Sequence, residues 1–138
     1  MIKQIFVNLP IKNLEKTKTF FASLGFTFNP QFTDEKAAAL ILGDNIFAML
    51  ITEEFFKTFT KKEIIDATSK IEVINALGVE SKEKVDEITQ KAFAAGATMA
   101  NEKYDYGWMY GASFHDLDGH MWEVMYVDPA GAPPNTQA

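Results

Sequence analysis

The 138-residue sequence has no cysteine and only two histidines. Without cysteine there is no thiol nucleophile, no disulfide and no thiolate metal site, so only oxygen and nitrogen ligands remain for a metal. The sequence also lacks a glycine-rich phosphate loop, a G-x-S-x-G elbow and a helical pair of histidines. No serine shows a pairing with a histidine base, so the patterns typical of nucleophilic catalysis are absent.

An excess of positive charge is also missing. The chain has 13 basic and 19 acidic residues, which gives a net charge of -6. Phosphate backbones and anionic membranes would be repelled on average, so we expect neither nucleic acid nor membrane as a partner. No run of 18 apolar residues occurs, and the amino terminus enters a strand pattern directly. These observations favour a cytoplasmic protein.

What is present is the composition of an ordinary globular core, with 47% hydrophobic and 13% aromatic residues. The length suits one domain, which we assign to residues 1–128. Residues 129–138 contain Gly131 and three prolines. We predict that this tail is loose.

The domain contains the same pattern twice: a strand, a helix that ends at a glycine, and a hairpin. The first copy covers residues 1–52 and has a helix at 13–24, and the second covers 71–128 and has a helix at 81–95. The pattern predicts an α+β fold in which two βαβββ units form curved mixed sheets around a cleft, with the helices outside. Residues 53–70 connect the units.

The connector is predicted to be helical. Phe55, Phe56 and Phe59 are spaced for one helix face, and residues 60–63, Thr-Lys-Lys-Glu, match a capping box. Together with the edges of the two sheets, this apolar patch predicts a homodimer.

One segment of the second copy carries a resemblance to a known family. The segment runs from Gly111 to Glu123 and contains the turn Asp116-Leu117-Asp118-Gly119, with Glu123 four residues beyond the glycine. Together with the repeated unit, it resembles the vicinal oxygen chelate superfamily, which includes glyoxalases, extradiol dioxygenases, fosfomycin-modifying enzymes and bleomycin-binding proteins. The resemblance spans residues 1–128 and implies that the site lies in the cleft.

The resemblance also implies four metal-ligand positions, one on the first strand and one on the last strand of each unit. Of these, the last-strand positions hold Met49 and Glu123, and the first-strand positions hold Phe6 and Ile74. A shift of two residues brings in Asn8 or Ala76, and no shift produces a histidine. Three converging ligands are needed, so we predict that the usual glyoxalase metal centre is absent. No cofactor is predicted, and a divalent metal is disfavoured unless Glu123 belongs to an unusual site.

Glu123 is the candidate catalytic residue, because Met121 and Met125 share its strand face and suggest a partly enclosed cavity. The alternative is an ordinary solvent-facing carboxylate. The predicted substrate-binding residues are the neutral and apolar members of the cleft and three rings of the aromatic run 104–110: Phe6, Asn8, Met49, Ile74, Met121, Tyr106, Trp108 and Tyr110. For each ring the simpler alternative is a place in the core, and for His115 and His120 it is a solvated turn.

Two functions remain open. The first is a protein that binds a small molecule in an aromatic cleft without chemistry, in the manner of the bleomycin-binding members. The second is an enzyme of the glyoxalase or dioxygenase type that uses Glu123 as a general base or in an unusual metal site. The missing ligands favour the first function, and the position of Glu123 favours the second.

Overall fold

The computed structural model describes residues 1–131 and Pro133. Of the predicted loose tail, Ala132 and residues 134–138 therefore lie outside the described residues. The described part of that tail begins as a turn in which the Gly131 backbone N–H donates to the Asp128 carbonyl oxygen at 3.1 Å. The chain divides into two compact units, Met1–Asp66 and Ala67–Ala138.

The first unit is a four-stranded mixed sheet with two short α-helices. Its elements are β1 Ile5–Ile11, α1 Leu14–Ser23, β2 Thr27–Asn29, a 3-10 helix Pro30–Phe32, β3 Ala37–Gly43, β4 Ile46–Thr52 and α2 Glu53–Phe56. The strand order is β1-β4-β3-β2, with β1 parallel to β4 and the other pairs antiparallel. Asn13 caps α1, since its Oδ1 accepts from the Lys16 backbone N–H at 3.0 Å.

The core of the first unit forms between α1 and one face of this sheet. Alternate strand residues such as Leu9, Leu40 and Leu50 are buried on this face, and Phe20 and Phe21 are buried on the helix. The two rings meet edge to face with centroids 5.0 Å apart.

The second unit repeats this plan with one difference. Its elements are β5 Ile74–Gly78, α3 Lys82–Ala94, β6 Thr98–Met99, β7 Tyr104–Asp105, β8 Met109–His115 and β9 Met121–Val127. The order is β5-β9-β8-β6, β7 also pairs with β8, and β5 is parallel to β9. The strand that corresponds to β2 is thus split into two short pieces. Ser81 caps α3, with its Oγ accepting from the Lys84 backbone N–H at 3.1 Å.

The core of the second unit lies between α3 and one face of the sheet. Trp122 and Val124 of β9 and Phe114 of β8 are almost fully buried, as are Val85 and Ala92 of α3. Because side chains alternate along a strand, Glu123 belongs to the other face.

The α+β class and the two repeated units are confirmed. The prediction of a helical connector over residues 53–70 is wrong beyond its first turn, since α2 ends at Phe56. Thr60 does not begin a helix, because its Oγ1 accepts from the Lys62 backbone N–H in a local turn at 3.1 Å. Among the described residues, no helix combines the length and the apolar character needed to span a membrane.

Candidate functional site

Glu123 lies in the middle of β9, on the sheet face that α3 does not cover. Its register partners are Ala76 on β5 and Ser113 on β8. Met121 and Met125 share its face, as predicted from their spacing, and all three side chains are half-buried. The side chains next to the Glu123 carboxylate on this face are therefore small or apolar.

Tyr104 is the hydrogen-bond partner of Glu123. The phenolic O–H donates to Glu123 Oε2 at 3.0 Å. The ring can reach the carboxylate because β7 pairs Tyr104 with Gly111, which has no side chain. A Cβ at Gly111 would lie 2.5 Å from Tyr104 Cζ and 2.9 Å from Cε1, so the ring sits directly against the backbone. The absence of a side chain at Gly111 thus allows the Tyr104 ring to lie beside Glu123.

The environment of this pair keeps the phenol protonated. Burial, followed by the hydrogen bond and the negative charge of Glu123, raises the pKa of Tyr104 to about 12. Within the described part of the chain, no lysine or histidine forms an ion pair with Glu123. The pair therefore has a hydrogen-bond donor and an acceptor but no cation.

The predicted site residues Tyr106 and Trp108 make different contacts, and it is Tyr106 that packs against this pair. Tyr106 stacks on Tyr104 with ring centroids 5.2 Å apart and an interplanar angle of 25°, and Tyr106 is 66% exposed. Trp108 is half-buried, and its carbonyl oxygen accepts from the Asp128 backbone N–H at 2.7 Å. Tyr106 is thus brought to the Glu123 face through its neighbour, whereas the described contacts of Trp108 lead to the 128–131 turn.

Tyr110 is not brought together with Glu123. It alternates with Gly111 along β8 and therefore points to the α3 side of the sheet. Its O–H donates to Asp86 Oδ1 at 2.6 Å, and Lys103 Nζ donates to the same oxygen at 3.2 Å. Lys103 Nζ and Lys82 Nζ also lie 5.3 and 5.5 Å from the centre of the Tyr110 ring. Strand alternation, applied to β8 and β9 together, could have separated Tyr110 from Glu123.

The Asp116–Gly119 turn has a structural role in these contacts. Asp116 Oδ1 accepts from the backbone N–H groups of Asp118 and His120, both at 3.0 Å, and Oδ2 accepts from Trp122 Nε1 at 2.9 Å. Burial raises the pKa of Asp116, against the opposing effects of His120 and Trp122. The turn therefore fixes the core tryptophan that precedes Glu123. His115 is the register partner of Met121 and is half-buried.

The predicted residues of the first unit occupy the corresponding sheet face there. Phe6 is 45% exposed and stacks on Phe47 with centroids 4.9 Å apart. Asn8 is the register partner of Met49, and its Nδ2 donates to the Phe6 carbonyl oxygen at 3.4 Å. In the second unit the same register position beside Glu123 holds Ala76, while the predicted Ile74 lies opposite Met121 and is 53% exposed.

The donor atoms at the family's metal positions do not fit the usual metal centre. Phe6, Met49 and Ile74 provide a phenyl ring, a thioether and an alkyl chain, and only Glu123 provides a hard oxygen ligand. The two-residue shift adds the amide of Asn8 and the methyl group of Ala76. Among residues 1–131 and Pro133, no group of three or more histidine, aspartate and glutamate side chains could hold a metal ion.

A surface pocket of about 510 Å³ lies in the first unit and contains none of the predicted site residues. It is lined by Glu53, Lys57, Thr60, Lys61, Lys62, Glu63 and Ile64. Most of its lining residues are charged, and the pocket lacks the apolar wall expected of a small-molecule site. We therefore place the candidate site at Glu123 instead.

Comparison with known proteins gives one partial sequence match. The family described as bleomycin resistance protein-like N-terminal matches residues 3–43. A search of curated proteins found no match.

Solved structures match over nearly the whole chain. A hypothetical protein from S. aureus is 32% identical, with a TM-score of 0.76, and the match covers 91% of this chain and 95% of that one. A glyoxalase/bleomycin resistance protein/dioxygenase family enzyme from Burkholderia phytofirmans PsJN is 19% identical, with a TM-score of 0.72 and coverage of 88% and 96%. A genomically encoded fosfomycin resistance protein from Listeria monocytogenes is 20% identical, with a TM-score of 0.67 and coverage of 99% and 97%. Residues 3–43 thus match a bleomycin resistance protein-like family, and the chain as a whole has the fold of proteins named glyoxalase, bleomycin resistance protein, dioxygenase and fosfomycin resistance protein.

Proposed function

We propose that this protein binds a small organic molecule on the Glu123 face of its second sheet, without the usual glyoxalase metal centre. The observation that carries the proposal is the half-buried carboxylate of Glu123, held by Tyr104 among small and apolar neighbours. Polar groups are rarely placed in such surroundings without a partner, because their desolvation costs free energy. Tyr104 donates to Oε2 only, and a bound ligand would supply a partner for the other oxygen of the carboxylate.

The surrounding side chains support a role in binding. Ala76 leaves space beside the carboxylate, and Met121 and Met125 provide flexible apolar contacts. The Tyr104 and Tyr106 rings provide a flat surface for an apolar or aromatic group. Such a combination of apolar walls and a few fixed polar atoms is typical of small-molecule sites.

The proposal is tested by thermal-shift screening against aromatic, epoxide and thiol-conjugate libraries, followed by a blocking variant. Ala76→Phe places a large side chain next to Glu123, and we expect it to abolish the thermal shift of any true ligand. Ala94→Phe is the matched control, because Ala94 is exposed on α3, which packs on the other face of the sheet. A ligand whose thermal shift survives Ala76→Phe would contradict the proposed site.

A second candidate is an enzyme that transfers a proton next to a carbonyl group. Glu123 offers a base, and the Tyr104 O–H, which now donates to Glu123, would turn to the developing oxyanion once Glu123 takes up the proton. Turnover of a carbonyl compound that is lost in Glu123→Gln would favour this candidate. Metal analysis of the purified protein addresses the lyase and dioxygenase version, since a stoichiometric divalent ion would contradict our reading of the ligand positions.

We also propose that the protein is a homodimer. Phe59 is 61% exposed and packs edge to face on Phe55, with ring centroids 4.9 Å apart, so an apolar surface remains near α2. Sedimentation velocity at micromolar concentration tests this proposal. A monomer there would contradict it.

A further inference from the structure

The Tyr104–Glu123 pair resembles a second tyrosine–carboxylate pair on the other face of the same sheet, formed by Tyr110 and Asp86. In both pairs a phenolic O–H donates to a carboxylate oxygen, at 3.0 Å from Tyr104 and 2.6 Å from Tyr110. The two pairs differ in their third member. Only the Tyr110 pair has a cation.

At Tyr110 the third member is an ammonium group. Lys103 Nζ donates to Asp86 at 3.2 Å and lies 5.3 Å from the centre of the Tyr110 ring. The ammonium group thus contacts both the carboxylate and the aromatic face. The sheet therefore displays one complete example of how such a pair binds an amine.

At Tyr104 this third member is missing. Glu123 Oε2 accepts from Tyr104, and across the described residues no other donor reaches the carboxylate and no lysine lies over the Tyr104 ring. The side chains around it, Ala76, Met121 and Met125, carry no charge. An ionised carboxylate can only accept hydrogen bonds, so a ligand that pairs with its other oxygen must bring a donor.

We propose that the carboxylate of the Tyr104–Glu123 pair binds the ammonium group of a ligand, as the carboxylate of Asp86 in the other pair binds Lys103. This inference rests on the proposed function and narrows it to ligands with a protonated or methylated amine. The Tyr106 ring, stacked on Tyr104 and 66% exposed, provides an additional aromatic face for the cation or for a ring attached to it. Anionic ligands would be repelled by Glu123 at the same place.

Three matched probes test the ligand class: benzylamine, benzyl alcohol and benzoate at pH 7, which are cationic, neutral and anionic. Dissociation constants are measured by NMR titration of the whole protein. We expect benzylammonium to bind about tenfold more tightly than benzyl alcohol, a difference of about 1.4 kcal/mol, and benzoate to bind most weakly. In Glu123→Gln the preference for benzylammonium should disappear while benzyl alcohol binding is retained.

Two further variants separate local recognition from general effects. Glu54→Gln removes the same charge from an exposed site in the first unit, and it should keep the tenfold preference. Tyr104→Phe retains the ring but loses the hydroxyl, and it should retain part of the preference.

An equal affinity for benzylammonium and benzyl alcohol, or a preference that persists in Glu123→Gln, would overturn the inference and leave the proposed function standing. Failure of benzylammonium to bind would also overturn the inference. The library screen with Ala76→Phe then decides the proposed function independently.

Discussion

Replacing Gly111 by alanine should disrupt the Tyr104–Glu123 pair without touching either residue. The new methyl group would lie 2.5 Å from Tyr104 Cζ and 2.9 Å from Cε1, distances at which the ring must move. Gly111 does not have a positive φ angle, so alanine itself fits the local backbone. The effect therefore reports on the ring and not on backbone strain.

The expected change in the free energy of unfolding follows from two opposing contributions. Displacing the ring breaks a hydrogen bond to a charged group, which is worth roughly 1.5–3 kcal/mol and less at a half-exposed site. Glycine in a strand is itself unfavourable by roughly 0.5–1 kcal/mol relative to alanine. We expect Gly111→Ala to lower the free energy of unfolding by about 1 kcal/mol.

Urea denaturation in a Tyr104→Ala background provides the decisive control. With the ring removed, the clash is absent, and Gly111→Ala should become neutral or stabilising by up to about 1 kcal/mol. This change in the effect of Gly111→Ala on the free energy of unfolding isolates the contact between the Tyr104 ring and the Gly111 backbone. If Gly111→Ala lowers the free energy of unfolding equally in both backgrounds, the Tyr104 ring does not depend on the missing side chain at Gly111, and this explanation of the ring's position is refuted.

Three other predictions concern stability and titration. Asp116→Asn leaves one oxygen where two now accept hydrogen bonds, and it should lower the free energy of unfolding by roughly 2–3 kcal/mol in urea denaturation. Gly119→Ala should cost more than Gly25→Ala: both glycines have positive φ, but only at Gly119 would a Cβ meet backbone, 2.6 Å from a carbonyl oxygen. By ultraviolet absorbance Tyr104 should ionise near pH 12. Since its folded-state pKa is raised, its contribution to stability is complete below about pH 10 and is lost as the pH rises towards 12. Glu123→Gln should lower the pKa of Tyr104 only in part, because burial is the larger cause.

The repeated unit could be predicted from the sequence because its signals are local. Asn13 and Ser81 precede apolar residues at helical spacing, and both cap helices in the structure. The connector was predicted wrongly for the same reason, since a local capping pattern at Thr60 had no helix to cap. Its hydroxyl instead forms a short turn.

The candidate site was harder to predict, because it depends on contacts between distant segments. The sequence does not single out Tyr104, because its place beside Glu123 depends on the pairing of β7 with β8 and on a glycine beneath the ring. A signal was available, because a glycine inside an apolar strand often marks a close approach. The aromatic run favours Tyr110 as a site residue, but alternation along β8 places it on the opposite face from Ser113, the partner of Glu123.

Above all, we propose that a small molecule binds at the Glu123 face of the second sheet. The most direct measurement is an amide NMR titration of the whole protein with a ligand from the screen, in parallel with Ala76→Phe. We predict saturable shifts centred on Ala76, Tyr104 and Glu123 in the wild type and their loss in the variant. Shifts centred on the charged pocket of residues 53–64, or unchanged by Ala76→Phe, would contradict the claim.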